Sequence, residues 1–160
     1  IGLDMSGGML SYGRTKIKDA HLDDCLHLMR GDAQCMGIGD ESVDVATISF
    51  GIRNVPDVPK ALAEIHRVLK PGGRGMVLEF SLPANPIIRA GYLFYFRHIL
   101  TRIGAMVSGD AQAYTYLNTT VEAFPYGDAF VKLMDDAGFA RVEAYPLTFG
   151  IATLYVGYKD

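Results

Sequence analysis

Three places in the sequence set a small acid or hydroxyl directly behind a short apolar run. Asp4 follows Ile1-Gly2-Leu3, Asp32 sits in Gly31-Asp32-Ala33 behind Leu28-Met29, and Ser49 closes a run that starts at Val43. Such runs read as strands, and in an open α/β sheet ligands bind beyond the carboxyl ends of the strands. An aspartate at the first end can accept from both hydroxyls of a ribose. A carboxylate at the second can accept from an adenine amino group while the neighbouring Ala33 N–H donates to a ring nitrogen. A small hydroxyl at the third can touch the same ligand. Each residue has a plainer role: Asp4 as a turn or cap beside Ser6, Gly31-Asp32 as an ordinary turn, Ser49 as a buried serine satisfied by backbone. Acid, acid and small polar group on three strand ends form a nucleoside-binding layout. Gly37-Ile38-Gly39 and Gly73-Arg74-Gly75 are not dinucleotide loops, because each leads into a strand rather than a helix.

The elements that must position these groups alternate in type. Strands are expected at 1–3, 26–29, 43–50 and 76–80, and helices from Ser6 to about residue 20 and over 59–69, where Ala61, Leu62, Ile65 and Leu69 recur at helical spacing. The second helix stops at Lys70-Pro71-Gly72-Gly73. Alternation of this kind predicts a mostly parallel sheet with helices on both faces. The rhythm then changes. Residues 85–107 read as a long, aromatic helix, 127–137 as another helix ending at Gly138, and 141–147 and 152–158 as an antiparallel pair turning at Phe149-Gly150. The expectation is one domain over 1–160, with a helical insertion on the substrate side at about 85–126.

Composition narrows the class. Of 160 residues, 49% are apolar and 21% charged, an ordinary globular balance. A net charge of −3 gives no basic field for nucleic acid. Two cysteines, Cys25 and Cys35, make no disulfide framework and fit a reducing cytoplasm, and neither they nor the scattered histidines show metal-ligand spacing. The chain opens on Ile1 inside what reads as a strand, so a fragment or the ordered part of something longer is expected.

Longer motifs carry a resemblance. Ile48-Ser49-Phe50-Gly51-Ile52-Arg53-Asn54-Val55, Arg67-Val68-Leu69-Lys70-Pro71-Gly72-Gly73-Arg74, Leu78-Glu79-Phe80-Ser81, Asp136-Ala137-Gly138-Phe139 and Gly157-Tyr158-Lys159 are similar to stretches of the ubiquinone/menaquinone biosynthesis C-methyltransferases. The Leu-Lys-Pro-Gly-Gly stretch marks only the broad methyltransferase class; Phe-Gly-Ile-Arg-Asn is much narrower. The resemblance implies a Rossmann-like fold, S-adenosylmethionine as cofactor, and Asp4, Asp32, Ala33 and Ser49 at cofactor-contacting positions. It also implies that the family's first strand and glycine-rich loop lie outside this chain. Two departures stand out: Gly75 where the family has a large apolar residue, an expected packing loss, and Met36-Gly37-Ile38 in place of Leu-Pro-Phe.

The implied reaction is C-methylation of a prenylated quinol. A free phenol titrates near ~10, so a nearby cation favours the nucleophilic phenolate. Arg53 is the candidate cation and Asn54 a candidate to orient the ring oxygen; the alternative is that Arg53 pairs with a structural carboxylate. Tyr114 and Tyr116 are weaker candidates for the substrate wall. The arginines at 89, 97 and 102 make 85–107 a poor spanning helix and a better interfacial one, a candidate for peripheral membrane contact; the alternative is a helix packed over the active site that lines a tunnel for the prenyl tail. A homo-oligomer is compatible with the sequence. The competing readings are a methyltransferase of another small or lipid substrate, and an inactive chain acting as a binding or assembly partner.

Overall fold

The computed structural model describes residues 1–100 and 120–160. Two short strands, Gly2–Asp4 (β1) and Leu28–Arg30 (β2), pair in parallel and are joined by the helix Gly7–Asp19 (α1). Ser6 caps α1, its Oγ accepting from Met9 N at 3.3 Å, while Lys16 and Lys18 lie in the last turn, where the helix dipole favours cations. The second sheet has the order β3-β4-β6-β5, from Val43–Ser49 (β3), Leu69–Phe80 (β4), Arg141–Leu147 (β5) and Ala152–Tyr158 (β6). β3 and β4 are parallel; β6 runs antiparallel to both β4 and β5. The parallel first half and the antiparallel terminal pair are those expected.

Between β3 and β4 lies the helix Val58–Val68 (α2). Asp57 caps it by accepting from Lys60 N at 3.0 Å, with proline in its first turn. Its apolar face puts Ala61, Leu62, Ile65 and Val68 into the core, with Val77 and Tyr155 from the sheet and Phe130 and Met134 from the helix Asp128–Asp136 (α4). α4 follows the helix Pro86–Phe94 (α3), which continues as a wider π-type turn over Tyr95–Leu100, and a helical stretch at 120–123. The chain reverses at both ends of α4 through Gly127 (φ 59°) and Gly138 (φ 104°), conformations that glycine adopts without strain. A second cluster gathers Leu82, Tyr92, Phe96 and Val121.

Two features differ from expectation. β4 starts at Leu69, not at 76. Leu69 pairs with Val43 at once, Pro71-Gly72-Gly73 then bulges outward, and the ladder resumes with Val45 against Arg74. Gly75 is not a packing loss either, because the Phe139 ring and Ile65 fill the space beside it.

Among the described residues β1 pairs only with β2 and β3 only with β4. The two sheets therefore face each other across a slot of about 420 Å³, lined by Gly2 and Leu3 on one side and Val43, Val45, Thr47 and Ile48 on the other.

Candidate active site

The ends of β1 and β2 are held together. Gly31 N donates to the Asp4 carbonyl at 3.1 Å, which extends the parallel ladder past Arg30 and brings Asp4 and Asp32 to one edge. Gly31 has little room for a side chain: a Cβ there would stand 2.8 Å from Leu3 Cδ1. Asp4 is exposed, and its Oδ1 accepts from Ser6 N at 2.7 Å, so the carboxylate shapes the turn into α1 while keeping a second oxygen open. Asp32 is more engaged. It accepts from Gln34 N at 2.9 Å and from Gln34 Nε2 at 3.1 Å, and these bonds hold its carboxyl below the usual carboxylate range. The Ala33 N–H takes part in neither bond. Gln34 Oε1 in turn accepts from Asp57 N at 3.1 Å, tying the loop after β2 to the cap of α2.

That loop is fixed from below. Glu64 on α2 accepts from Met36 N at 2.8 Å, and Arg67 donates to Glu64 at 2.7 Å, to the Ile38 carbonyl at 2.9 Å and to the Met36 carbonyl at 3.2 Å. Met36 packs against the main core, so replacing the family's Leu-Pro-Phe leaves this wall supported.

The third group of residues surrounds the end of β3. Ser49 is exposed, and Phe50 N continues the parallel ladder to the Leu78 carbonyl at 2.8 Å. Phe50 has φ 52°, a left-handed conformation rare for an aromatic residue. It turns the chain into the short helix Ile52–Asn54 and sets its ring 4.6 Å from that of Phe80. Ile52 is fully buried and anchors this turn in the core. Arg53 lies between strand ends with its side chain only 10% exposed. Its Nη1 donates to the Phe50 carbonyl at 2.6 Å and to Glu79 Oε1 at 2.8 Å, and its guanidinium carbon stands 5.3 Å from the Phe80 ring centre. Its Nε is buried with no hydrogen-bond partner among the described residues. Arg53 also lines a cleft of about 530 Å³ shared with Pro56, Val58, Ala123 and Phe124. Asn54 is exposed beside it, its N–H closing the turn onto Gly51 O at 3.1 Å.

The alternative read from the sequence, that Arg53 pairs with a structural carboxylate, is what the structure shows, but the sequence did not name that carboxylate as Glu79. Glu79 is 1% exposed in a strand that otherwise reads Met76-Val77-Leu78-Phe80. A lone acid in such a run must find a cation or a set of donors, and that was the signal. The aromatic wall was also missed: Phe80 stands 6.4 Å from Phe96, and Phe96 stacks on Tyr92 at 5.0 Å. Burial, with Glu122 nearby, pushes the Tyr92 hydroxyl up to about 12, and that hydroxyl has no hydrogen-bond partner among the described residues. Tyr114 and Tyr116 lie outside the described residues. No group of three metal-ligating side chains forms among the described residues, and none of their helices is long and apolar enough to cross a membrane.

The residues present fit a nucleoside sulfonium. Asp4 keeps an open carboxylate oxygen, Ser49 is exposed at the next sheet, and Asp32 keeps an adjacent backbone donor in Ala33. The whole chain superposes on a SAM-dependent methyltransferase of Thermotoga maritima with a TM-score of 0.66 at 20% identity, covering 73% of that structure. It also superposes on the [4+2]-cyclase SpnF, with a TM-score of 0.59 at 20% identity, over 91% of this chain and 45% of that one. The fold is therefore the Rossmann-like fold of the S-adenosylmethionine-dependent methyltransferases, a scaffold that also carries other chemistry. Within that class the match is narrower. Residues 1–159 fit the model of the ubiE/COQ5 methyltransferase family, and the chain belongs to that family. It is 43% identical to the ubiquinone/menaquinone biosynthesis C-methyltransferase UbiE of Dinoroseobacter shibae over 99% of this chain and 64% of that protein. Against UbiE of Escherichia coli the identity is 41%, over 98% of this chain and 62% of the relative. The chain thus spans just under two thirds of the length of these relatives.

Proposed function

We propose that this chain forms the larger part of an enzyme that moves a methyl group from S-adenosylmethionine to a ring carbon of a prenylated quinol, in menaquinone or ubiquinone biosynthesis. Family membership and the names of the relatives support the reaction class. The observation that carries the reading is Arg53: a side chain nine-tenths buried, bordering a cleft beside the Phe50–Phe80 pair, with an Nε that has no partner among the described residues.

Bound S-adenosylmethionine supplies an electrophilic methyl. The chain's own work is to hold and orient. Asp4 would accept from the ribose hydroxyls, Ala33 N–H and Asp32 would meet the adenine edge, and Ser49 would contact the ligand from the facing sheet. The Arg53 guanidinium, at the border of the cleft, is the group that would meet a phenolate oxygen. A fixed positive charge there favours ionisation of the ring hydroxyl, which makes the neighbouring ring carbon nucleophilic. Arg53 remains protonated, so the hydroxyl proton, and later the ring proton at the methylated carbon, leave to water, while Asn54 would orient the ring oxygen. Phe50 and Phe80 offer an aromatic ledge for the ring. Peripheral contact with the membrane through 85–107 would bring the prenylated substrate within reach.

The test is methyl transfer by the native protein to short-tailed benzoquinols and naphthoquinols, with mass detection of the product. Ring methylation of either supports the proposal; transfer to neither, with transfer to another small molecule, overturns it. Arg53→Ala should lower turnover far more than cofactor affinity, with Arg53→Lys restoring only part, since a point charge does not replace a planar fork. Asp4→Ala should weaken cofactor binding by about 1–3 kcal/mol, the scale of hydrogen bonds to a charged group, as read by calorimetry.

A further inference from the structure

We infer that Glu79 is a positioning residue for the reaction, acting only through Arg53; the inference rests on the role proposed for Arg53. Glu79 contacts Arg53 at both ends of that residue. Its Oε1 accepts from the Arg53 head at 2.8 Å, and its Oε2 accepts from the Arg53 backbone N–H at 3.4 Å. Oε1 also accepts from Phe80 N at 2.9 Å, so the carboxylate is fixed to the backbone of its own strand. Glu79 is central in the sheet, paired with Thr153 of β6 across the ladder. It is one of the most deeply buried side chains in the protein.

The form of this ion pair argues against stability as its purpose. A buried pair is at best a weak source of stability, and well-packed apolar residues often replace one without loss. A pair built for strength would be two-pronged, each carboxylate oxygen meeting one guanidinium nitrogen. Here Glu79 takes a single nitrogen, Nη1, which the Phe50 carbonyl shares at 2.6 Å. Nε is left buried without an acceptor among the described residues. The guanidinium is thus held still through Nη1. Leaving a buried donor unmet costs free energy unless another group completes it. The Phe80 ring, 5.3 Å from the guanidinium carbon, supports the head from one face. Carboxylate, carbonyl and ring together fix the arginine from three directions where it borders the cleft.

The experiment is a double-variant cycle on the native protein, with Glu79→Gln and Arg53→Met, assayed by methyl transfer to a short-tailed quinol across pH. Cofactor affinity by calorimetry and thermal melting are followed in parallel. Glu79→Gln is expected to lower turnover by about tenfold or more while leaving cofactor affinity within roughly twofold. In the Arg53→Met background it should change turnover by less than about twofold, because the group it positions is gone. The pH profile separates positioning from bulk charge. With Arg53 displaced, the quinol hydroxyl loses its cation and the rise in rate moves to higher pH. Were Glu79 merely a nearby negative charge, its removal would strengthen the field of Arg53 and move the rise to lower pH. A downward shift, or effects that multiply equally in both backgrounds, overturns the inference. Should Glu79→Gln fail to fold, Glu79→Asp in the same two backgrounds reads the same coupling. Native turnover in Arg53→Met alone would instead overturn the role of Arg53, a separate failure.

Discussion

Phe139 occupies the space into which a side chain at Gly75 would grow: a Cβ on Gly75 would lie 3.0 Å from the ring, and one on Gly157, its neighbour across the ladder, 2.6 Å from it. The ring thus packs on two glycines of adjacent strands, with Ile65 of α2 closing the pocket 3.1 Å from the Gly75 position. Gly75→Val is therefore expected to destabilise by about 1–3 kcal/mol, the usual cost of overpacking a filled core, as read by urea denaturation. A gain in stability would mean that residue 75 faces a void.

Gly75 shows where the sequence stopped being legible. Against the family pattern it looked like a lost side chain, because one position viewed alone cannot reveal a compensating ring 64 residues away. The strand ends were legible, since an apolar run stopped by Asp4, Asp32 or Ser49 is a local signal. So were the caps at Ser6 and Asp57 and the terminal antiparallel pair. The beginning of β4 was not, because Pro71-Gly72-Gly73 punctuates the chain as a turn while the ladder to β3 starts before it and resumes after it. Arg53 was legible as a candidate, but not its partner. Glu79 lies 26 residues away on another strand, and only the sheet brings the two together.

Acid should loosen the support that Glu64 gives the loop after β2. Arg67 chiefly, with Met36 N–H, holds the Glu64 carboxyl below its usual 4.5 against the opposing effect of burial. A carboxyl lowered in the folded state contributes stability that is fully present above its unfolded value and lost as pH falls through the folded one. The contribution of Glu64 is thus complete above about pH 4.5 and disappears below it. Glu64→Gln should make stability less steeply dependent on pH in that acid window, measured by urea melts at a series of pH values. An unchanged slope would show that Glu64 is not among the titrating groups.

The facing edges of β1 and β3 predict how the 160-residue chain behaves in isolation. Both edges present backbone groups without ladder partners among the described residues, across an apolar slot, and Val45 on β3 is 47% exposed. Exposed strand edges invite pairing with another chain, and an added lysine is a natural device against it. Sedimentation should show concentration-dependent self-association, reduced by Val45→Lys without loss of the folded core. A chain that stays monomeric over the whole concentration range, with or without the lysine, would refute this.

The membrane question turns on which arginines near α3 are available. Ile87 and Phe94 project into solvent at 82% and 60% exposure, with Tyr95 and Ile99 also exposed, while Tyr92 and Phe96 face inward. Aromatic and aliphatic groups on one outer face, flanked by cations, suit the headgroup boundary of an anionic bilayer. Arg97, however, is bound to Glu122 through both Nε, at 2.8 Å, and Nη2. Its charge is balanced within the protein, and that pair ties the turn after α3 to the helical stretch at 120–123. Reversing Arg97 would therefore damage structure as well as charge. Arg89 is exposed, and Glu122 feels its charge without a direct bond between them, so it is the cleaner probe. Lipid contact predicts that the native protein floats with vesicles containing anionic lipid, that binding weakens as salt rises, and that Arg89→Glu reduces it. Ile87→Ser should reduce binding as well, by removing apolar area from the interface rather than charge. Neither variant should change turnover on a short-tailed soluble quinol, since neither residue lies at the strand ends. A protein that ignores anionic vesicles at low salt would assign the outer face of α3 to another partner, and under the proposed function a prenylated substrate would have to be delivered to the active site.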